Sequence, residues 1–280
     1  MGFSERLMHL DRRIIFLCIA LAVLLPFIFP LHLATHVTRR VQDVYDRIEE
    51  LTPDDPPILI SIDYDPAAMP ELMPMTLAVL RHCFSKDLDV ITMTLHQAGP
   101  GLALDATTTA AEEYGKEYGV DYVFLGFKPG VAMVIDQLGQ DIHRAFPEDY
   151  FGTPLTELPV IAGRHNFDDT SLIITFAASA ITEAWVAYAN GPYQEPVAAG
   201  CTAVSATDYY PFLQTGQLFG LIGGLKGAAE YEYLVQIPDR AIIGMDAQSI
   251  AHLVIIAFVI IGNIAFFVER RRSAAVRRKG

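Results

Sequence analysis

Cysteine, tryptophan and, through the middle of the chain, basic residues are what this sequence has least of. Its 280 residues include three cysteines and one tryptophan. Cys18, Cys83 and Cys201 are far apart and show no metal-like spacing, so neither a zinc module nor a disulfide framework is legible. Cys83 and Cys201 are expected as buried free thiols. The phosphate-loop pattern Gly-x-x-x-x-Gly-Lys-Ser/Thr is missing. Gly99-Pro100-Gly101 reads as a turn and not as a dinucleotide fingerprint. Between residues 35 and 247 lie 30 of the 33 acidic residues but only 11 of the 20 basic ones, a net charge of −19. A body so acidic has little with which to neutralise phosphates, which argues against nucleic acid as a partner.

What the chain does have is apolar sequence at both ends. Ile14 to Leu33 is an almost unbroken apolar run of about 20 residues, enough for a bilayer core of about 30 Å. Ile250 to Val268 is a second. Arg6, Arg12 and Arg13 precede the first run, and Arg270, Arg271, Arg272, Arg277, Arg278 and Lys279 follow the second. Basic residues stay on the cytoplasmic side of spans. The expectation is two transmembrane helices in the cytoplasmic membrane, both termini in the cytoplasm and the acidic body outside. The exit Leu31-His32-Leu33-Ala34 is a poor signal-peptidase site, so the first run reads as an uncleaved anchor. Pro26 and Pro30 should kink or end its helix.

The organisation expected from these signals is a cytoplasmic N-terminus (1–13), a span (14–34), an amphipathic stalk helix and linker (35–55), an α/β body (56–238), a linker (239–249), a span (250–268) and a basic cytoplasmic tail (269–280). In the stalk, Val37, Val41, Val44, Ile48 and Leu51 recur at helical spacing among charged residues. Such a helix packs on its own body or on copies of itself. Pro56 to Pro66 is a short apolar run fenced by prolines, and it ends in two acids, Asp63 and Asp65. Similar runs recur at 88–95, 121–127, 171–176 and 197–204, with helical stretches between them at 70–84, 105–118, 131–144 and 177–190. Continuous apolar strands alternating with helices predict a mainly parallel, doubly wound α/β sheet, Rossmann-like or flavodoxin-like. About five strands are expected, six if 160–166 or 235–237 joins an edge. Residues 146–167, rich in Pro, Gly and acids, read as a surface excursion, a lid or a contact loop. Residues 209–233 read as a long helical region whose five glycines, Gly216, Gly220, Gly223, Gly224 and Gly227, imply a break or a backbone in close approach to another surface; Gly216, Gly220, Gly224 and Gly227 give it a small-residue face, for packing on the sheet or for an oligomer contact.

In open α/β sheets ligands gather at the carboxyl ends of strands. That rule collects Asp63, Asp65, His96, Gln97, Lys128, Thr207 and Asp208 as a candidate crevice. Asp63, Asp65 and Asp208 could supply oxygen ligands to Mg²⁺ or Ca²⁺. His96 and Cys201 could act as base and nucleophile, and a pocket gated by 146–167 could take a small molecule. No convergent acid, base and nucleophile set is legible, so no catalytic residue and no cofactor are assigned. The pattern points to a membrane-anchored scaffold or interaction subunit of an oligomeric membrane complex. The alternative is an extracytoplasmic small-molecule-binding domain that signals to a partner membrane protein, and the third reading is a hydrolase using the crevice.

Overall fold

The computed structural model describes residues 11–31, 33 and 36–277. The sequence assignments at Arg6 and the rest of 1–10, at 32, 34 and 35, and at 278–280 of the tail lie outside them. The chain divides into two compact units, Met1–Leu33 with Ile243–Gly280, and Ala34–Ile242.

The second unit is built on a six-stranded, all-parallel sheet with flanking helices. Its strands are β1 (Ile58–Asp63), β2 (Val90–Thr94), β3 (Tyr122–Phe127), β4 (Leu172–Ala177), β5 (Val197–Cys201) and β6 (Gly220–Gly223). They are ordered β3-β2-β1-β4-β5-β6, the order of Rossmann-like sheets. β1 sits at the centre and is buried along its whole length, pairing with β2 on one side and β4 on the other. A strand buried on both faces must be apolar throughout, which is why Ile58, Leu59, Ile60 and Ile62 follow one another.

Helices cover both faces. On one side lie α2 (Arg39–Glu49), α3 (Met69–Ser85), α4 (Pro100–Glu113) and α7 (Gly224–Leu234), with α3 packed on α4 and α7, and α2 packed on α7 and β6. On the other lie α5 (Val131–Gln140) and α6 (Ile181–Trp185), which continues as a π-helical stretch, Val186–Asn190. There Leu59, Met93, Val123 and Ile173 of the strands meet Val134, Leu138 and Trp185 of the helices in one core. The amphipathic helix therefore lies on its own body. Val41, Val44 and Ile48 are buried, and the charged residues between them face outward.

Several boundaries differ from the sequence expectation. α4 starts at Pro100, where proline suits the first helical turn, and ends at Glu113 before Gly115 (φ +63°). The helix expected over 131–144 breaks at Asp141, whose carboxylate accepts from the Arg144 N–H and starts a new turn, Ile142–Ala145. The largest correction concerns 209–233. It is a short helix (Tyr210–Gln214), then β6, then α7. The sixth strand is thus neither 160–166 nor 235–237. The glycines do not share one helix face. Gly216 lies open on a turn (φ +75°), and Gly220 belongs to the edge strand. Gly224 (φ +59°) starts α7 against Ala203, and Gly227 packs on Ile222.

In the first unit, α1 (Arg12–Ile28) has 17 residues with Pro26 inside it, while α8 (Arg240–Arg277), of 38 residues, starts in the second unit and enters the first at Ile243. Among the described residues one helical stretch is long and apolar enough to cross a membrane, Arg240–Val268. At 1.5 Å per residue α1 reaches about 26 Å, short of a hydrocarbon core of about 30 Å. Residues 240–249, expected as linker, are already helical. The Asp246 carboxylate accepts the Leu31 and Leu33 N–H groups, each at 3.1 Å.

Gly220 permits the seating of α2. A Cβ there would stand 2.3 Å from Val44 Cγ2 and 3.0 Å from the Arg40 carbonyl oxygen. Gly220→Ala is expected to lower the stability of the body by about 2 kcal/mol through overpacking. Val44→Ala added to it should recover part of that loss. Thermal unfolding of the two variants, followed by circular dichroism, checks both outcomes.

Candidate functional site

β1 places Asp63 at the carboxyl end of the central strand, next to the point where strand order reverses. The side chain has no exposed surface. Ser61 Oγ donates to its Oδ2 at 2.6 Å and the Leu95 N–H donates to its Oδ1 at 2.5 Å. The Thr175 and Thr94 hydroxyls lie at 3.4 and 3.5 Å. These partners come from β1, β4 and the end of β2, so the carboxylate ties three strands together. Burial pushes its carboxyl up to about 6, against the opposing pull of the Ser61, Leu95 and Thr175 donors. The loop after β2 folds over this end of the sheet: a Cβ on Gly99 would meet the Ile62 carbonyl oxygen at 3.0 Å.

The other candidates do not converge on Asp63. Asp65 accepts from the Ala67 and Ala68 N–H groups and caps the turn into α3. His96 accepts the Ala98 N–H at Nδ1, and Gln97 is exposed in the same loop. Thr207 and Asp208 are exposed on the turn after β5. Lys128 stands apart at the sheet edge, where its ammonium donates to the Ala145 carbonyl oxygen and lies 5.2 Å from the Phe146 ring centroid. It lines an open cleft of about 420 Å³ with Pro100, Phe146, Pro147, Glu148 and Tyr150. No group of three or more His, Cys, Asp or Glu is placed to hold a metal ion among the described residues. Cys83 and Cys201 are both buried and unpaired. Burial pushes the Cys201 thiol up to about 12, far from the thiolate that nucleophilic chemistry needs.

Residues 146–167 are packed, with Leu155, Val160, Ile161 and Phe167 in the core. The Tyr150 N–H bonds to the Phe124 carbonyl at 3.0 Å and the Val160 N–H to the Gly119 carbonyl at 3.1 Å. The segment thus runs along the open side of β3 and shields that sheet edge from pairing with another chain.

Two acids that sequence reasoning passed over, Glu230 and Glu232, are almost fully buried on α7. Glu230 accepts the Thr38 N–H (2.8 Å) and hydroxyl (2.6 Å) at the start of α2, and it also pairs with Lys226. Glu232 accepts the N–H groups of Asp239, Ala241 and Ile242 at 2.9–3.0 Å, where α8 begins. Burial raises the Glu232 carboxyl above its ordinary value, and the three donors oppose that shift. Both acids answer the unpaired N–H groups that every helix start carries. In sequence they look like solvent-facing charges, and no local pattern separates them from the chain's other acids.

Scans against protein-family models, curated proteins and solved structures found no match for this chain.

A carboxyl whose folded-state value is raised binds its proton more readily in the folded chain than in the unfolded one, where an aspartate titrates near about 3.9. Asp63 should therefore favour the folded state more as pH falls through about 6. Between pH 7.5 and 5.5 the wild-type chain should gain about 1 kcal/mol relative to Asp63→Asn. Urea unfolding of both proteins across this range is the measurement, and parallel pH profiles would contradict the assignment.

Proposed function

We propose that this protein is a membrane-anchored interaction subunit of an oligomeric membrane complex, with its α/β body outside the cytoplasmic membrane. The observation that carries the reading is the state of the strand-end acids. Asp63 binds strands together and Asp65 caps a turn, so the place where an α/β enzyme or binding protein would present its ligand groups is occupied by the fold's own hydrogen bonds. The apolar helix Arg240–Val268 supports attachment to a bilayer, with Leu253, Val259, Ile264 and Phe267 more than half exposed along it. Arg270 and Arg271 follow it on the side assigned to the cytoplasm. The N-terminal run 14–34 is assigned in this reading to a second span, which the helix Arg12–Ile28, about 26 Å long, does not complete by itself. Its helix lies at the short end of the roughly 17–25 residues used by such segments, and Phe16, Leu17, Leu24 and Phe27 are exposed along it.

A second reading has one observation in its favour. The cleft at Lys128 has about 420 Å³ of space, within the range of small-molecule sites. Under this alternative the body binds a small molecule and passes its state to a partner membrane protein. A hydrolase has the least support, since Asp63 has no exposed surface and the Cys201 thiol stays protonated.

Size-exclusion chromatography with light scattering in a mild detergent should give a protein mass of several chains, or of one chain with stoichiometric partners. A lone monomer would overturn the subunit reading. Val204 is 86% exposed on the body. Val204→Cys should react with a membrane-impermeant maleimide added to intact cells while the unsubstituted chain does not. Protection at that position would reverse the topology.

A further inference from the structure

Tyr150 and Phe151, adjacent in sequence, are 47% and 61% exposed, and their rings touch edge-on with centroids 5.3 Å apart. Both are supported from beneath. Tyr118 meets Phe151 edge-on at 5.2 Å, and Phe124 of β3 lies 5.1 Å from Tyr150. The turn that carries them is built around Asp149, which is 5% exposed. Its carboxylate accepts the Phe151 N–H at 2.9 Å, the Thr153 N–H at 2.7 Å and the Tyr118 hydroxyl at 2.7 Å. Gly152 (φ +84°) reverses the chain, and the Tyr150 N–H is held by β3.

A turn fastened in this way holds two aromatic rings about half exposed to water. Pre-ordered rings lose little entropy when a partner covers them, and aromatic side chains of this kind dominate binding energy at protein interfaces. The surrounding charge indicates what would cover them. Glu148, exposed, precedes the turn and lines one cleft with Tyr150. The nearby cation Lys128 is turned to the Ala145 carbonyl and the Phe146 ring. The body as a whole carries −19. An aromatic pair beside Glu148, on a body of this net charge, suits a guanidinium, which stacks on rings and pairs with acids, and it repels anionic lipid or nucleic acid.

We propose that the Tyr150–Phe151 turn is the docking point for an arginine-bearing segment of a partner protein, a step that rests on reading the chain as an interaction subunit. The test uses the full chain in detergent and fluorescein-labelled hexa-arginine and hexa-lysine peptides, followed by anisotropy. Hexa-arginine should bind about threefold more tightly than hexa-lysine. F151S should remove that preference while the body stays folded, with at most a few degrees lost in thermal unfolding, and E148Q should weaken both peptides. Equal binding of the two peptides, or an unchanged preference in F151S, would overturn the proposal. So would Phe151-dependent binding to phosphatidylglycerol vesicles, which would assign the turn to a lipid surface. If the peptides fail while the wild-type chain still purifies as an assembly, this inference alone falls. A monomeric wild-type chain removes the subunit reading however the peptides behave.

Discussion

Two buried carboxylates on one short helix hold the α/β body at both of its chain ends. Glu230 and Glu232 sit two residues apart on α7, so they project about 200° apart around the helix axis. One reaches the first residues of α2 and the other reaches the first residues of α8. Burying a carboxylate is costly unless donors surround it. Here the donors are the N–H groups that helix starts leave unpaired, so each acid and each helix start satisfies the other. The arrangement also requires α7 to sit beside the sheet edge, where Gly220 of β6 lets α2 approach closely.

The same economy of polar groups recurs at Asp63 and Asp149. Each is a buried acid that accepts from neighbours distant in sequence, and neither presents its oxygens to solvent. Asp63 joins the central strands beneath the loop that closes over them. Asp149 fastens a turn that guards the edge of β3 and lifts two aromatic rings outward. A chain this acidic thus uses several of its acids as internal fasteners, while the rest give the surface its negative field.

Much of the architecture was legible in the residues. The five runs of apolar residues are strands, short and bounded by turn residues, and each is covered on both faces, so its apolar stretch is almost wholly buried. The Val41–Val44–Ile48 stripe is an amphipathic helix for the reason its spacing suggests. The segment 209–233 was misread because glycine-rich sequence at an edge satisfies helix and strand patterns equally poorly. β6 has only four residues, and its partner β5 supplies the pairing that decides its state. The candidate crevice was legible only as a list of residues at strand ends. Sequence order puts Asp63, Lys128 and Asp208 in equivalent positions, yet the sheet separates the edge strand from the centre and buries one of the three completely.

By itself the sequence determined the α/β class, the apolar helix before the basic tail, the acidity of the body and the absence of nucleotide or cysteine-metal motifs. These depend on composition and short-range periodicity, which survive without knowledge of any contact. Only the tertiary structure decided which acids are internal and which face solvent, that β6 exists, and that the Pro- and Gly-rich segment is a packed edge guard carrying an exposed aromatic turn. Those outcomes depend on donors and surfaces contributed from far along the chain, such as Leu95 for Asp63, Thr38 for Glu230 and Tyr118 for Asp149. A carboxylate next to such a donor and one next to water are the same letter in the sequence.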